Sequence, residues 1–435
     1  MNKISIVLLL FLMNLTLNAQ EKLTAEEAIR IALSNNYAIE IARNELEIDS
    51  KAVSLGNAGM LPSIGLTANS NNSIQSTRQT RASGDIIEVD NAKNNNISYG
   101  AVADWTLFDG FRMFARYDQL KELEKLGEAE LQQTLLSRVS DVLITYYDLV
   151  QQQQQLAALD STRVISEQRL ELAQNRFTIG RSSKLEVLNA QVDLNSDRTT
   201  ILRQQELHRN TKIRLNELLA RNPATPFFVE EDIAVDNDLL LPDLEQRAKE
   251  QNPALLAQVI NRNITELELK QVKAGRYPRI TANTGYIFSR NESPVGFTTF
   301  GRTEGFNYGF TARMNLFEGF NQNRNEKMMR LELENSELAV EEFSLSLQAQ
   351  IHTAYQTYLT NLELMQLERE NEAIARQNLE ITLEKYRIGT IPTIEFRTAQ
   401  LNYINARVRH SNAIFEAKLS EITLKELTGQ LSLEN

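Results

Sequence analysis

Side chains able to make or break bonds are sparse in this sequence. No cysteine occurs among the 435 residues, which removes disulfides, thiolate metal sites, thiol catalysis and lipid attachment through Cys. The three histidines, His208, His352 and His410, are scattered through helical stretches, where an exposed helix position accounts for each. No phosphate loop, catalytic triad, metal cluster or paired-carboxylate motif is present. The expectation is therefore a protein that is not an enzyme and has no cofactor and no metal. A net charge of −11 argues against a nucleic-acid partner, because phosphate binding needs clustered Lys and Arg.

One polar constellation recurs. The stretches "FTIGRSSKLEVLNAQ" (177–191) and "YRIGTIPTIEFRTAQ" (386–400) each place a glycine, Gly180 or Gly389, inside a long helical pattern. A glutamate follows each, Glu186 or Glu395. A glycine with positive φ would end one helix, and Ser182 or Ser183 could cap the next. The two stretches are 209 positions apart, and that offset also carries Phe108 to Phe317, Tyr146 to Tyr355, Ala190 to Ala399 and Glu217 to Glu426. Upstream, "AGMLPSI" (58–64) matches "AGRYPRI" (274–280) at an offset of 216. The second copy is thus seven residues shorter within that interval, as an exposed loop allows.

The repeat divides the chain. Residues 1–19, with Lys3, an apolar run from Ile4 to Leu17 and the small Ala19, read as a secretory signal. Repeat 1 spans 20–220, a proline-bearing linker 221–243, repeat 2 244–428 and a tail 429–435. In repeat 1, Thr24 and Glu27 form a capping box that opens a helix running to about Gly59. A second helical pattern runs from 111 to 176, about 100 Å at 1.5 Å per residue, and a third from 183 to 219. Leu135, Val139, Val142, Tyr146 and Leu149 recur at spacings of three and four, which points to extended antiparallel coiled-coil packing.

Between the helices the period changes to two. Ile64, Leu66 and Ala68 alternate with polar residues, as do Ile97, Tyr99, Ala101, Ala103, Trp105 and Leu107. Repeat 2 has Ile280, Ala282, Tyr286 and Phe288, then Phe306, Tyr308, Phe310 and Ala312. These hairpins, about 62–108 and 278–317, fit transmembrane barrel strands. The polar segments 71–95 and 290–304 would be outer loops, and Asp104 could line a lumen or pair with Arg313. Four strands cannot close a barrel, and open edges are not viable in lipid, so closure requires several chains. Two chains would give roughly eight strands with a filled interior, and three about twelve with a lumen.

The repeated "RF-x-x-G…L-E-V-L-x-A-Q" and "KY-x-x-G…I-E-F-x-x-A-Q", with the "LFDGF" and "LFEGF" junctions, resemble the outer membrane efflux protein family over essentially the whole mature chain. The resemblance implies a trimeric, TolC-like channel-tunnel of α plus transmembrane β class. Each chain would give four strands to a 12-strand β-barrel and long antiparallel helices to an α-helical periplasmic barrel. It implies outer-membrane localisation with a periplasmic extension, contact with outer-membrane lipid, and a passive role as exit duct of a tripartite efflux or type I secretion system. The implied partners are two further copies of the chain, a periplasmic adaptor and an inner-membrane transporter. By position, Phe177, Gly180, Arg181, Ser182, Tyr386, Gly389, Thr390 and Ile391 would form the periplasmic tips that dock the adaptor. Glu186 and Glu395 would line the entrance, and Tyr386 matches a tip aromatic of the closing contacts. Ile391 and Thr398 stand where TolC carries charged closing residues. Two other readings remain at this point: a periplasmic coiled-coil scaffold without a transport role, and a secreted hydrolase, for which no active groups are found.

Overall fold

A computed structural model describes residues 21–230, 232–295 and 298–431. The signal at 1–19 lies outside them. In chain order the elements are β1 (Glu21–Leu23), α1 (Ala25–Asn35), α2 (Tyr37–Ala52), β2 (Ser63–Thr80), β3 (Ile86–Phe108), α3 (Arg112–Thr178), α4 (Lys184–Leu218) and β4 (Phe227–Val229). The second copy follows with α5 (Leu241–Gln251), α6 (Pro253–Lys273), β5 (Arg279–Glu292), β6 (Phe300–Arg313), α7 (Asn321–Ile388) and α8 (Thr393–Leu427). Among the described residues, no helix is long and apolar enough to cross a membrane. The chain forms two compact units, and each draws on both sequence copies.

Among the described residues, one unit comprises those within 21–44, 129–256 and 342–431. Its larger core is built where the α3 stripe of Val139, Val142, Tyr146 and Leu149 meets Leu23, Ala28 and Ala32, with Leu215, Phe227 and Val229 closing it. Burying each large apolar side chain contributes roughly 1.5–3 kcal/mol. β1 and β4 pair in parallel, and β4 lies inside the segment that the sequence presented only as a linker. The Tyr146 hydroxyl donates to the Leu23 carbonyl at 3.0 Å, and the copy does the same, with Tyr355 donating to Leu239 at 3.4 Å. A second core gathers Leu244, Ala248, Leu347, Ile351, Tyr358 and Leu424.

The N-cap half of the capping box forms, with the Thr24 hydroxyl accepting from the Glu27 amide at 3.2 Å. The helix expected to run on to Gly59 does not. It breaks at Asn36, whose Oδ1 accepts from the Ala38 amide and whose Nδ2 donates to the Leu218 carbonyl, both at 2.9 Å. Asn252 repeats the device, accepting from the Leu255 amide and donating to the Leu427 carbonyl, again at 2.9 Å. One side chain thus caps the new helix and satisfies a carbonyl at the C-terminus of the hairpin's return helix.

The other unit comprises residues 45–128 and 257–341 and contains a four-stranded antiparallel sheet ordered β2-β3-β5-β6. Pairing aligns Ile64 with Ala103, Tyr99 with Phe288, and Tyr286 with Phe306, so every apolar alternation lands on one face. That face is bare: Leu66, Tyr99, Trp105, Tyr286, Phe306, Tyr308 and Phe310 are between 44% and 88% exposed. Gly65, Gly100, Gly285, Gly305 and Gly309 fall in register on the polar face. A Cβ on Gly100 would sit 2.2 Å from the Tyr286 carbonyl oxygen, so the strands approach there more closely than any side chain allows.

Two expectations need correction. Segment 71–95 is not a loop: β2 and β3 stay paired from Ser63↔Asp104 to Thr80↔Ile86, because backbone pairing continues beyond the apolar stretch. The second hairpin likewise pairs out to Glu292↔Phe300. Asp104 does not meet Arg313, because β5 lies between their strands; it sits between Ser63 and Asn283, and Arg313 opposes Arg279.

Candidate functional site: the paired helical tips

Both tips are closed by the same backbone device. At the first, the Gly180 amide donates to the Phe177 carbonyl at 2.9 Å and the Arg181 amide to the Arg176 carbonyl at 2.7 Å. At the second, Gly389 donates to Tyr386 at 3.1 Å and Thr390 to Lys385 at 3.0 Å. This pair of bonds is the Schellman closure, which needs a left-handed residue after the helix. Gly180 has φ +75° and Gly389 has φ +83°, so both glycines are architectural. The following helix starts differently in each copy. Ser183 caps α4 through the Glu186 amide, whereas Pro392 precedes α8 and offers no side-chain cap.

The tips of one chain grip each other. Tyr386 is 2% exposed and stacks on Phe396 with ring centroids 5.0 Å apart. The Arg176 guanidinium lies 5.0 Å from the Tyr386 ring centroid and donates to the Tyr386 carbonyl at 2.8 Å. It thereby caps α7 from the neighbouring hairpin. Glu186 accepts hydrogen bonds from Ser182 of its own tip and Thr393 of the other. Those hydroxyls, Ser182 foremost, hold its carboxyl below the ordinary range, against the opposing effect of desolvation. Glu395 is exposed. Equivalent positions in the repeat thus occupy different environments.

Further along the hairpins lies a charged network that motif reading missed. Arg397 of α8 contacts Asp197 of α4 at 2.8 Å and Asp193 at 3.8 Å. Arg169 of α3, 4% exposed, meets Asp193 at 2.5 Å. The Ser166 hydroxyl donates to Asp197 at 2.5 Å, and Gln400 donates to Ser166 at 3.0 Å. Two arginines and two aspartates balance, which such burial requires. Arg397 falls on Leu188 of the first copy, so the repeat hid it. An arginine on an otherwise inward helix position was the available signal.

Of the ten residues singled out at the tips, Phe177, Gly180, Arg181, Gly389, Thr390 and Glu395 are exposed. Ser182, Glu186 and Ile391 are half-buried and Tyr386 is fully buried, all within the seam between the two hairpins. The exposed apolar surface at the tips also includes Ile179, Ile388 and Ile394, each at least 66% exposed.

The profile of the outer membrane efflux protein family matches residues 28–221 and 244–430. Protein CyaE of Bordetella pertussis is 23% identical over 93% of this chain and 84% of its own length. Outer membrane protein TolC of Vibrio cholerae is 22% identical over 88% of this chain and 85% of its own. The structure of the outer-membrane channel OprN superposes with a TM-score of 0.77 at 16% identity, covering 93% of this chain and 90% of that one. With the duplicated hairpins, the four-strand sheet and a profile match over most of its length, the chain belongs to the outer membrane efflux protein family.

Proposed function

We propose that three copies of this chain assemble into an outer-membrane exit duct with a periplasmic helical tunnel, passive in itself and driven by a partner transporter. The observation that carries the assembly is the sheet. Its apolar face is bare along all four strands, and the outer edges of β2 and β6 are unpaired within one chain. Lipid tolerates no open edge, and strands from three copies closing on one another remove every edge. The glycine-rich polar face then turns inward, where close strand approach favours curvature. Family membership supports the duct over a scaffold, and the exposed tip residues, among them Phe177, Arg181 and Thr390, are the surface offered to a periplasmic adaptor.

Fractionation and conductance test this reading together. The chain should resist carbonate extraction from outer membranes, run as an oligomer on unheated gels and open discrete channels in planar bilayers. A coiled-coil scaffold would wash off in carbonate and give no conductance. Because native cysteine is absent, Arg181→Cys or Thr390→Cys gives a clean crosslinking probe, which should capture an adaptor in the periplasm. Capture of none at either tip, despite membrane insertion, overturns the tripartite role.

A further inference from the structure

The second hairpin sets arginine opposite arginine twice, and only one of the two pairs is neutralised. Near the turn, Arg290 opposes Arg302 on the face of Phe288 and Phe306. Each is held by a glutamate of its own strand, Glu292 at 2.5 Å and Glu304 at 3.3 Å. At the other end, where the chain joins α6 and α7, Arg279 opposes Arg313. Both are exposed. Strand parity puts this pair on the polar face, where Arg279 donates to the Thr106 hydroxyl at 3.2 Å. Among the described residues, neither has a carboxylate within ion-pair distance. On the same face Asp104 lies opposite Asn283, roughly 13 Å along β5 from Arg279. Asp109, just beyond β3, instead accepts from the Met113 amide at 3.1 Å. Like charges directly opposite each other destabilise a strand pair, and nothing within one chain offsets this one. The repeat carries Ser63 to Arg279 and Asp104 to Arg313, and Ser63 opposes Asp104 in turn. The second copy thus has two bases where the first has a hydroxyl and an acid.

We infer that Arg279 and Arg313 form a ring in the barrel lumen that draws anions, so that the cargo of this duct is anionic, a carboxylate or phosphate solute. The inference rests on the barrel proposed above and adds the charge of what passes through it. With the polar face turned inward, the copies place two arginines for each Asp104 around the lumen. A water-filled bore with low-dielectric walls concentrates counter-ions at such a ring, and rings of arginine select anions in pores. The guanidinium fork also matches the paired oxygens of a carboxylate or phosphate. A lipid headgroup does not account for the pair, because the face that meets lipid is the opposite one. The arginines on that lipid side, Arg290 and Arg302, are the ones supplied with their own glutamates.

The test uses the full chain in planar bilayers under a KCl gradient. Arg279→Ser with Arg313→Asp gives the second hairpin the residues of the first. It should lower the chloride-to-potassium permeability ratio by at least about threefold. Arg279→Lys with Arg313→Lys keeps the charge and should keep the native ratio. Inorganic triphosphate added on the barrel side gives a readout that needs no substitution. It should block the native channel, and the block should weaken as KCl rises from about 0.1 to about 1 M. Open native channels without triphosphate block overturn the inference and leave the duct standing. So does a ratio unmoved when the two charges are removed, or one that falls equally in the lysine variant. No channel from the native chain overturns the duct itself.

Discussion

A hydroxyl and a carboxylate decide how firmly the two tips of one chain hold together. Glu186 holds both contacts in full only when ionised, since Ser182 and Thr393 donate to its two different oxygens. Its folded pKa lies below the ordinary 4.5, so the stabilisation is complete above that value and is lost as pH falls through the folded pKa. Hydrogen exchange of amides 386–396, corrected for intrinsic rates, should therefore quicken on acidification below pH 4.5 in the native chain. In Glu186→Gln it should already be quicker at neutral pH and should change little on acidification. Tyr386 makes the opposite case for a polar atom, because its hydroxyl is buried without a hydrogen-bond partner. Tyr386→Phe should keep the stack on Phe396 and change unfolding free energy by less than about 1 kcal/mol in either direction. Tyr386→Ala empties the seam and should cost about 3–5 kcal/mol. A large loss in Tyr386→Phe would mean that the hydroxyl has a partner in the assembled protein.

At the scale of elements, the same two asparagines do what no helical periodicity reveals. Asn252 is 7% exposed and makes bonds to Leu255 and Leu427, so Asn252→Ala should cost about 1–3 kcal/mol in a urea titration. Asn36→Ala should cost less, since Asn36 is only half-buried. The break was legible in the second copy, where Pro253 follows Asn252 and marks a first helical position. In the first copy Tyr37 stands there, and only transfer across the repeat would have found it. Gly180 and Gly389 were readable as helix ends because no other residue takes positive φ so cheaply. At Gly180 a Cβ would meet nothing within 4 Å, so Gly180→Ala should cost only the backbone penalty, about 1–2 kcal/mol. The Arg397–Asp197 pair was not readable, because its partners lie 200 positions apart and its counterpart in the first copy is a leucine. β1 and β4, three residues each, are too short to carry a period.

For the whole molecule the sheet's two faces carry the argument. Alternation placed the strands correctly because each apolar residue had to reach one face, and a slip by one residue would have reversed all of them. It misjudged their length because Asn, Ser and Thr from 71 to 95 show no apolar side, although backbone pairing does not need one. Alternation alone also cannot say whether the apolar face meets lipid or a protein core, and adjacent residues on β6 separate those outcomes. Phe306 is 63% exposed on the apolar face, and Asn307 lies on the polar face opposite Gly285, which leaves room for a larger side chain. An arginine facing lipid near mid-strand costs about 2–4 kcal/mol, so Phe306→Arg should lower unfolding free energy in phospholipid vesicles by that amount. Asn307→Arg should change it by less than about 1 kcal/mol and instead shift the conducted ions towards anions, because the added charge would face the lumen. Equal losses from the two substitutions would mean that both faces are buried in protein. A loss confined to Asn307→Arg would turn the sheet inside out and overturn the barrel proposed for it.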